Sequence, residues 1–127
     1  MSSTKPEFLH SGLTADVIAA AFEVHNMLGC GLLEKVYEGA FARELELRGH
    51  RASCQQEYTV RYKDKVVGTY YADLVVDDSV LVEVKAVDDL NDNHRAQLLN
   101  YLRISGIRVG LLINFARPRL RHERFVV

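Results

Sequence analysis

Apolar residues recur at helical spacing in the first third of the chain. Ser11 or Thr14 can cap a first helix that runs to about Leu28, where a glycine-rich break follows. A second helix is predicted over about Leu32–Arg48, because Gly49 follows the last apolar residue. The predicted inward stripe of this helix comprises Leu33, Val36, Tyr37, Ala40, Phe41, Glu44, Leu45 and Leu47.

The spacing of apolar residues then changes from helical to alternating. Three strands are predicted, at Cys54–Tyr62, Lys65–Val76 and Val80–Lys85. The remaining predicted elements are a helix over about Asn93–Ser105, a buried strand over Arg108–Asn114 and an edge strand over Arg121–Val127. The order ααβββαββ predicts an α/β (α+β) fold with a central mixed β-sheet flanked by helices, because a strand–helix–strand unit follows a meander.

The turn between the second and third strands decides which side chains face each other. With a three-residue turn after Val76, Asp73 lies opposite Glu83, and Lys85 lies on the same face two residues further on. A two-residue turn would set Asp73 opposite Val82, which would bury the aspartate or expose the valine. The apolar pattern therefore supports the register that also gathers the three charged side chains.

Opposed carboxylates repel each other unless a proton or a cation lies between them. Carboxylate oxygens suit a hard divalent cation, and a lysine beside that cation suits a phosphodiester, whose charge grows as water attacks. Glycosidases also use two close carboxylates, but Lys85 and the absence of any tryptophan argue against sugar hydrolysis. The alternative is a solvent-facing strand in which Glu83 and Lys85 form an ordinary pair.

Two helical patterns could bring further polar groups to Asp73, Glu83 and Lys85. Gly31-x-x-Glu34-x-x-Tyr37 places Glu34 and Tyr37 on one helical face, and Gln97-x-x-x-Tyr101 does the same on the later helix. Each pattern also has a structural interpretation. Glu34 would then be a solvated acid beside a core tyrosine, and Gln97 would lie at the margin of a packed helix.

Length and composition indicate one globular domain. The chain has 127 residues, of which 48% are hydrophobic and 26% charged, so we expect a loose segment over 1–12 and a single domain over 13–127. Its two cysteines have no metal-binding spacing, and neither a signal peptide nor a membrane span is evident. These features predict a cytoplasmic protein with no membrane partner.

Basic residues are concentrated near the end of the chain. The formal net charge is −1, which excludes a generally basic binder, but residues 101–127 contain six arginines and one acidic residue, a net of +5. The candidates for phosphate contacts are Arg103, Arg117, Arg119 and Arg121. The alternative interpretation is a solvated, arginine-rich edge strand.

The chain resembles the GxxExxY family, a bacterial group placed in the PD-(D/E)XK nuclease superfamily, over about Leu13 to Val127. The residues that carry the resemblance are Phe22-Glu23-Val24-His25, Leu28-Gly29-x-Gly31-Leu32-Leu33-Glu34-x-Val36-Tyr37-Glu38, Glu83-Val84-Lys85-Ala86-Val87, Ala96-Gln97-Leu98-Leu99-Asn100-Tyr101-Leu102-Arg103 and Val109-Gly110-Leu111-Leu112-Ile113-Asn114-Phe115. The resemblance implies a restriction-endonuclease-like core and Mg²⁺-dependent cleavage of phosphodiester bonds.

The resemblance also implies roles for individual residues. Asp73 and Glu83 would be the central metal ligands, with the Val84 carbonyl as a further oxygen ligand and Glu34 as the helix-borne acid. The catalytic set would be Lys85, Glu83, Asp73, Gln97 and Tyr101. One departure is Ala72, which stands before Asp73 in place of proline at a position that carries no ligand.

The sequence therefore predicts a nuclease that uses Mg²⁺, or Mn²⁺, to cleave DNA in preference to RNA. The alternative is a catalytically inactive module of the same fold that binds nucleic acid or another protein. A metal-dependent phosphohydrolase acting on a nucleotide is a third interpretation. Because one small domain covers little duplex, a homodimer or a protein partner is expected if both strands are cut.

Overall fold

The computed structural model describes residues 8–127. Within this range the helices and strands are, in chain order, α1 (Ser11–Leu28), α2 (Glu34–Leu47), β1 (Ala52–Tyr62), β2 (Lys65–Val76), β3 (Val80–Lys85), α3 (Asp92–Ser105), β4 (Val109–Asn114) and β5 (Arg121–Val126). The predicted order and α+β class are confirmed. The predicted loose segment over 1–12 lies partly outside the described residues, and its last two residues belong to α1.

The strands form one mixed sheet in the order β1-β2-β3-β4-β5. Strands β3 and β4 are parallel and are connected through α3, whereas the other neighbouring pairs are antiparallel. A parallel pair needs such a crossover, so the strand–helix–strand pattern in the sequence was sufficient to predict the mixed sheet. Strand β4 is buried along its whole length, and β5 lies at an edge as predicted.

Helices cover both faces of the sheet. Helices α1 and α2 pack on one face, where Val82 and Val84 belong to the main apolar core. Helix α3 packs on the other face, where Leu98 and Leu102 contact a smaller core that includes Leu81. Successive residues of β3 therefore point alternately toward α1–α2 and toward α3.

The inward stripe predicted for α2 is partly wrong. Tyr37, Phe41 and Leu45 are fully buried and follow one another at four-residue spacing, which keeps them on one side of the helix. The predicted members that are instead exposed are Leu33, Val36 and Leu47. Leu33 precedes the first residue of the helix, and the other two lie well round the helix from the buried row.

Neither residue predicted to cap α1 does so. The N-cap is His10, which has a left-handed φ of 53° and makes no side-chain capping bond. Ser11 is the first helical residue, and Thr14 is buried in the first turn with its hydroxyl unpaired among the described residues.

The predicted register between β2 and β3 is observed. Val76 pairs with Val80, and Leu74 pairs with Val82, so the turn has the three residues expected. The first two of these, Asp77 and Asp78, both have positive φ, a conformation that aspartate tolerates better than most residues.

Strands β1 and β2 depart from regular geometry at one level. Ala72 and Val75 contact the same core beneath α3, although residues three apart in a regular strand point to opposite faces. On the neighbouring strand, Gln55 has a left-handed φ of 49°. Paired residues continue on both sides of this point, so the irregularity is local and centres on Asp73 and Gln55.

A histidine between two aspartates joins three separate segments. His50, which follows α2, lies with Nδ1 2.7 Å from Oδ2 of Asp77 and with Nε2 against the carboxylate of Asp16 in α1. Both ring nitrogens face acceptors, so both must donate, which requires the imidazolium form. The hydrogen bonds that His50 donates to Asp16 and Asp77 raise the pKa of His50.

We expect His50→Ala to lower the free energy of unfolding by about 1–2 kcal/mol at pH 6, because it removes charge-assisted hydrogen bonds. A folded-state pKa above the unfolded value of about 6.5 means that this stabilisation is full below pH 6.5. It is lost as pH rises through the folded-state pKa of His50. Urea unfolding of both proteins between pH 6 and pH 9 measures the difference.

The matched control is His122→Ala, because the His122 ring packs against Phe22 rather than against carboxylates. This variant removes an imidazole that takes part in neither of the His50 ion pairs. A His50→Ala effect that is equally large at pH 6 and pH 9 would contradict the charged state assigned to His50.

Candidate functional site

The side chains of Asp73 and Glu83 bridge β2 and β3 where their backbone pairing ends. The Asp73 N–H donates to Glu83 Oε2 at 2.9 Å, and the Val84 N–H donates to Asp73 Oδ2 at 2.8 Å. Each carboxylate thus accepts a backbone N–H of the opposite strand, beyond the last ladder pair. The two acids that the predicted register set opposite each other are therefore brought together.

The electrostatic environment of Glu83 is unfavourable for a negative charge. Only 3% of Glu83 is exposed. Burial raises the pKa of Glu83 to about 8, and the nearby Asp73 carboxylate adds to the increase. A proton or a cation must offset the negative charge for Glu83 to remain buried beside half-buried Asp73.

Helix α3 brings two polar side chains to Lys85. Lys85 Nζ donates to Gln97 Oε1 at 3.1 Å, and Gln97 Nε2 donates to the Tyr101 hydroxyl at 3.4 Å. Burial raises the pKa of Tyr101 most, and the charges of Glu83 and Asp73 raise it further. The hydroxyl therefore lies within electrostatic reach of the two acids. The Gln97-x-x-x-Tyr101 spacing thus forms a chain of contacts that starts at Lys85.

Glu34 lies at the edge of the same site. It is the first residue of α2 and is half-buried. Burial raises the pKa of Glu34; the Lys85 ammonium lowers it, and the Asp73 carboxylate raises it. These two influences show that α2 presents its N-terminal acid toward the side chains of β2 and β3.

Tyr37 determines how the chain enters α2. Its hydroxyl donates to the Gly29 carbonyl at 2.6 Å and accepts from the Leu32 N–H at 3.2 Å. Its ring stacks on Phe115, with the centroids 4.8 Å apart. Gly31 has a φ of 101°, a conformation that favours glycine. The tyrosine and glycine of the Gly31-x-x-Glu34-x-x-Tyr37 pattern therefore position Glu34.

The acids fit a hard cation in chemistry but do not form a three-ligand cluster. Within residues 8–127, no group of three or more His, Cys, Asp or Glu side chains is close enough together to hold a metal ion. Mg²⁺, however, is usually held by one or two carboxylates, with water and substrate phosphates completing its shell. Asp73 and Glu83 offer such a pair. A cation beside them would favour the ionised form of Glu83, whose pKa is raised by burial and by the Asp73 charge.

Sequence reasoning missed Gln55 and Glu38. Gln55 Nε2 donates to Glu38 Oε1 at 2.8 Å and to Asp73 Oδ1 at 3.3 Å. Glu38 is only 5% exposed. The four-residue spacing from Glu34 to Glu38 was a usable signal for a second acid on the site-facing side of α2. The alternation of apolar and polar residues along β1 gave no sign that Gln55 would adopt a left-handed conformation.

The four candidate arginines are exposed. Arg121 pairs with Asn114, which pairs with Lys85, so register sets the three side chains on one face of the sheet. Arg117 and Arg121 line a surface depression of about 410 Å³, and Arg103 lines a second depression with Tyr70. Arg119 stands in the exposed turn beside them.

Comparison with known proteins identifies the fold family. A family model described as the PD-(D/E)XK nuclease superfamily matches residues 11–125. A solved structure described as "Crystal structure of SSO0001" is 18% identical, with a TM-score of 0.59, over 92% of this chain. The match covers 58% of that chain, and at this identity the likeness concerns the fold alone. No curated protein matches the chain.

The helices give no indication of a membrane span. None of those in the described part of the chain is both long enough and apolar enough to cross a bilayer.

The two cysteines, Cys30 and Cys54, are exposed and form no disulfide.

Proposed function

The chain belongs to the PD-(D/E)XK nuclease superfamily, and we propose that it hydrolyses phosphodiester bonds of DNA, in preference to RNA, with the help of Mg²⁺ or Mn²⁺. The observation that carries the proposal is the pairing of half-buried Asp73 with buried Glu83. Lys85 follows two residues after Glu83 on the same face of β3. The Gly31-x-x-Glu34-x-x-Tyr37 pattern supports assignment to the GxxExxY group of the superfamily.

Asp73 and Glu83 would hold the cation, with water and substrate phosphate as further ligands. Glu34 would contribute through water, since it stands apart from the pair, and the Val84 carbonyl is the remaining proposed oxygen ligand. Bound there, a divalent cation supplies Lewis-acid stabilisation of the charge that develops on the phosphate.

Lys85 would orient the attacking water and offset negative charge in the transition state. Its contact with Gln97 supports this role, because a held ammonium loses less freedom when substrate binds. Gln97 and Tyr101 would then position Lys85 or a phosphate from α3.

Arg103, Arg117, Arg119 and Arg121 would contact phosphates beside the site, which gives affinity without reading bases. The exposure of all four arginines supports this role. Cutting both strands of a duplex would require a second copy or a protein partner.

We expect Asp73→Asn to weaken Mn²⁺ binding at least tenfold, because it removes one of the two central anionic ligands. Glu34→Gln should weaken binding less, since Glu34 acts through water. Titration calorimetry on the two variants and the wild type measures this, with Asp64→Asn in the exposed β1–β2 turn as the control. Equal affinities for wild type and Asp73→Asn would exclude the proposed cation site.

We expect Lys85→Ala to slow cleavage of labelled DNA about 100-fold or more while Mn²⁺ affinity is retained, because the lysine acts on water and transition-state charge. Single- and double-stranded DNA and RNA should be compared, with and without Mg²⁺. Lys65→Ala, on the exposed start of β2, is the matched control. A wild-type protein that binds DNA but never cleaves it would instead favour the inactive module.

Neutralising Arg117, Arg119 and Arg121 together should flatten the dependence of log affinity on log salt. Each lost phosphate contact removes roughly 0.7–0.9 from the slope. Binding should weaken evenly across DNA sequences, whereas Mn²⁺ affinity and stability should stay unchanged.

The control triple variant is Arg43→Ala, Lys63→Ala and Lys65→Ala, which removes the same charge from exposed positions elsewhere. Fluorescence anisotropy at several salt concentrations measures both slopes. If both triple variants keep the wild-type slope, the arginines are a solvated edge with no part in binding.

A further inference from the structure

Gln55 adopts a strained conformation at one point of an otherwise extended strand. Its φ of 49° lies in the left-handed region, which glycine, asparagine and aspartate adopt more readily than glutamine. Strand β1 pairs with β2 on both sides of this residue, so the backbone is held by regular neighbours. Such conformations persist where surrounding contacts enforce them, and they concentrate at functional sites.

The side chain of Gln55 joins two carboxylates. Its amide nitrogen lies 2.8 Å from Glu38 Oε1 and 3.3 Å from Asp73 Oδ1. An ionised carboxylate only accepts hydrogen bonds, whereas the amide nitrogen carries two protons, one for each acid. The opposite orientation of the amide would set its oxygen against two acceptors, so these contacts decide which way the side chain points.

Glu38 provides a rigid anchor for this contact. It is buried in α2, one turn after Glu34, and its second oxygen lies 3.6 Å from Lys35 Nζ. Helix α2 therefore reaches the site twice, through Glu34 at its first residue and through the contact from Glu38 to Gln55.

Asp73 is held at both carboxylate oxygens. Oδ2 accepts the Val84 N–H at 2.8 Å, and Oδ1 accepts the Gln55 amide. With one oxygen alone held, the carboxylate could rotate about its remaining contact. With both held, its plane is determined by β3 on one side and by β1 on the other.

We propose that Gln55, anchored by Glu38, is a positioning residue that orients the Asp73 carboxylate for the cation. The inference rests on the proposed function, because it assumes that Asp73 holds a divalent ion. Gln55 acts through Asp73, and its strained backbone is retained because the extended alternative would turn the amide away from both acids.

The decisive variant is Gln55→Gly. Glycine adopts the left-handed conformation without strain, so the fold should be retained while the amide is lost. We expect Mn²⁺ binding to weaken about 10–100-fold, the range typical of residues that orient a metal ligand. The Val84 N–H should exchange with solvent faster in the metal-free variant, because its acceptor is no longer held.

Two further variants separate the amide from the backbone. Gln55→Asn accepts the same conformation but is one methylene too short to bridge both acids, so it should behave like Gln55→Gly. Gln56→Gly places a glycine at the next position of β1 and should leave Mn²⁺ affinity and Val84 exchange at their wild-type values. Calorimetry, hydrogen exchange followed by NMR and urea unfolding are measured on all four proteins.

Unchanged Mn²⁺ affinity in Gln55→Gly would overturn the proposal, even if stability falls, because the role would then be structural. Wild-type affinity in Gln55→Asn would overturn it as well. If the wild type itself binds no Mn²⁺, the proposed function fails, and Val84 exchange alone decides whether Gln55 orients Asp73. Faster exchange in both Gln55 variants and not in Gln56→Gly would support the positioning role.

Discussion

The site depends on what happens where the backbone ladder between β2 and β3 ends: there, carboxylate side chains accept the hydrogen bonds that backbone carbonyls accept elsewhere. A buried backbone N–H without an acceptor is strongly unfavourable, so two strands cannot simply part inside a protein. Here the Asp73 N–H donates to Glu83, and the Val84 N–H donates to Asp73. The two carboxylates thus accept hydrogen bonds from the backbone N–H groups that have no partner in the ladder. As a consequence, Glu83 is buried next to half-buried Asp73, and burial followed by the Asp73 charge raises the pKa of Glu83.

The remaining structure holds this unfavourable arrangement in place. Val82 and Val84 anchor β3 beneath α1 and α2, and β4 pairs with β3 along its buried length. Helix α3 approaches closely because residue 110 is glycine: a Cβ there would lie 2.9 Å from a Leu102 methyl carbon. That close approach brings Gln97 within hydrogen-bond distance of Lys85. The apolar packing of both faces therefore determines the polar contacts between them.

The sequence was informative wherever one face of an element had to be buried. Shifting β3 by one residue would turn Val82 away from the main core and point Glu83 into it, so the apolar alternation and the three-residue turn were enough to predict the observed register. Helix α2 was harder, because Leu33, Val36 and Leu47 resemble core residues in sequence but are exposed. Leu33 lies before the helix begins, and the exposure of Val36 and Leu47 depends on which side of α2 meets the sheet, which local periodicity does not encode.

The contacts of Gln55 and Glu38 with the site were not predictable either, because they too depend on the tertiary structure. The conformation of Gln55 is unfavourable for an isolated glutamine, so no propensity argument would select it. It exists because Glu38 and Asp73, distant in sequence, are both within reach of one amide. The sequence showed the acids, but only the fold shows which neutral side chain lies between them.

The structure distinguishes arginines that the sequence alone could not tell apart. Counted along the chain, the six arginines after residue 100 are equivalent, but in the fold they are not. Arg108 and Arg124 donate to the backbone carbonyls of Val127 and Leu9, which gives both guanidinium groups a structural task. The exposed remainder comprises Arg103, Arg117, Arg119 and Arg121. A polyanion would therefore meet a small number of exposed arginines near the Asp73–Glu83 pair. The local placement of these charges, rather than the net charge of −1, governs how a polyanion could approach.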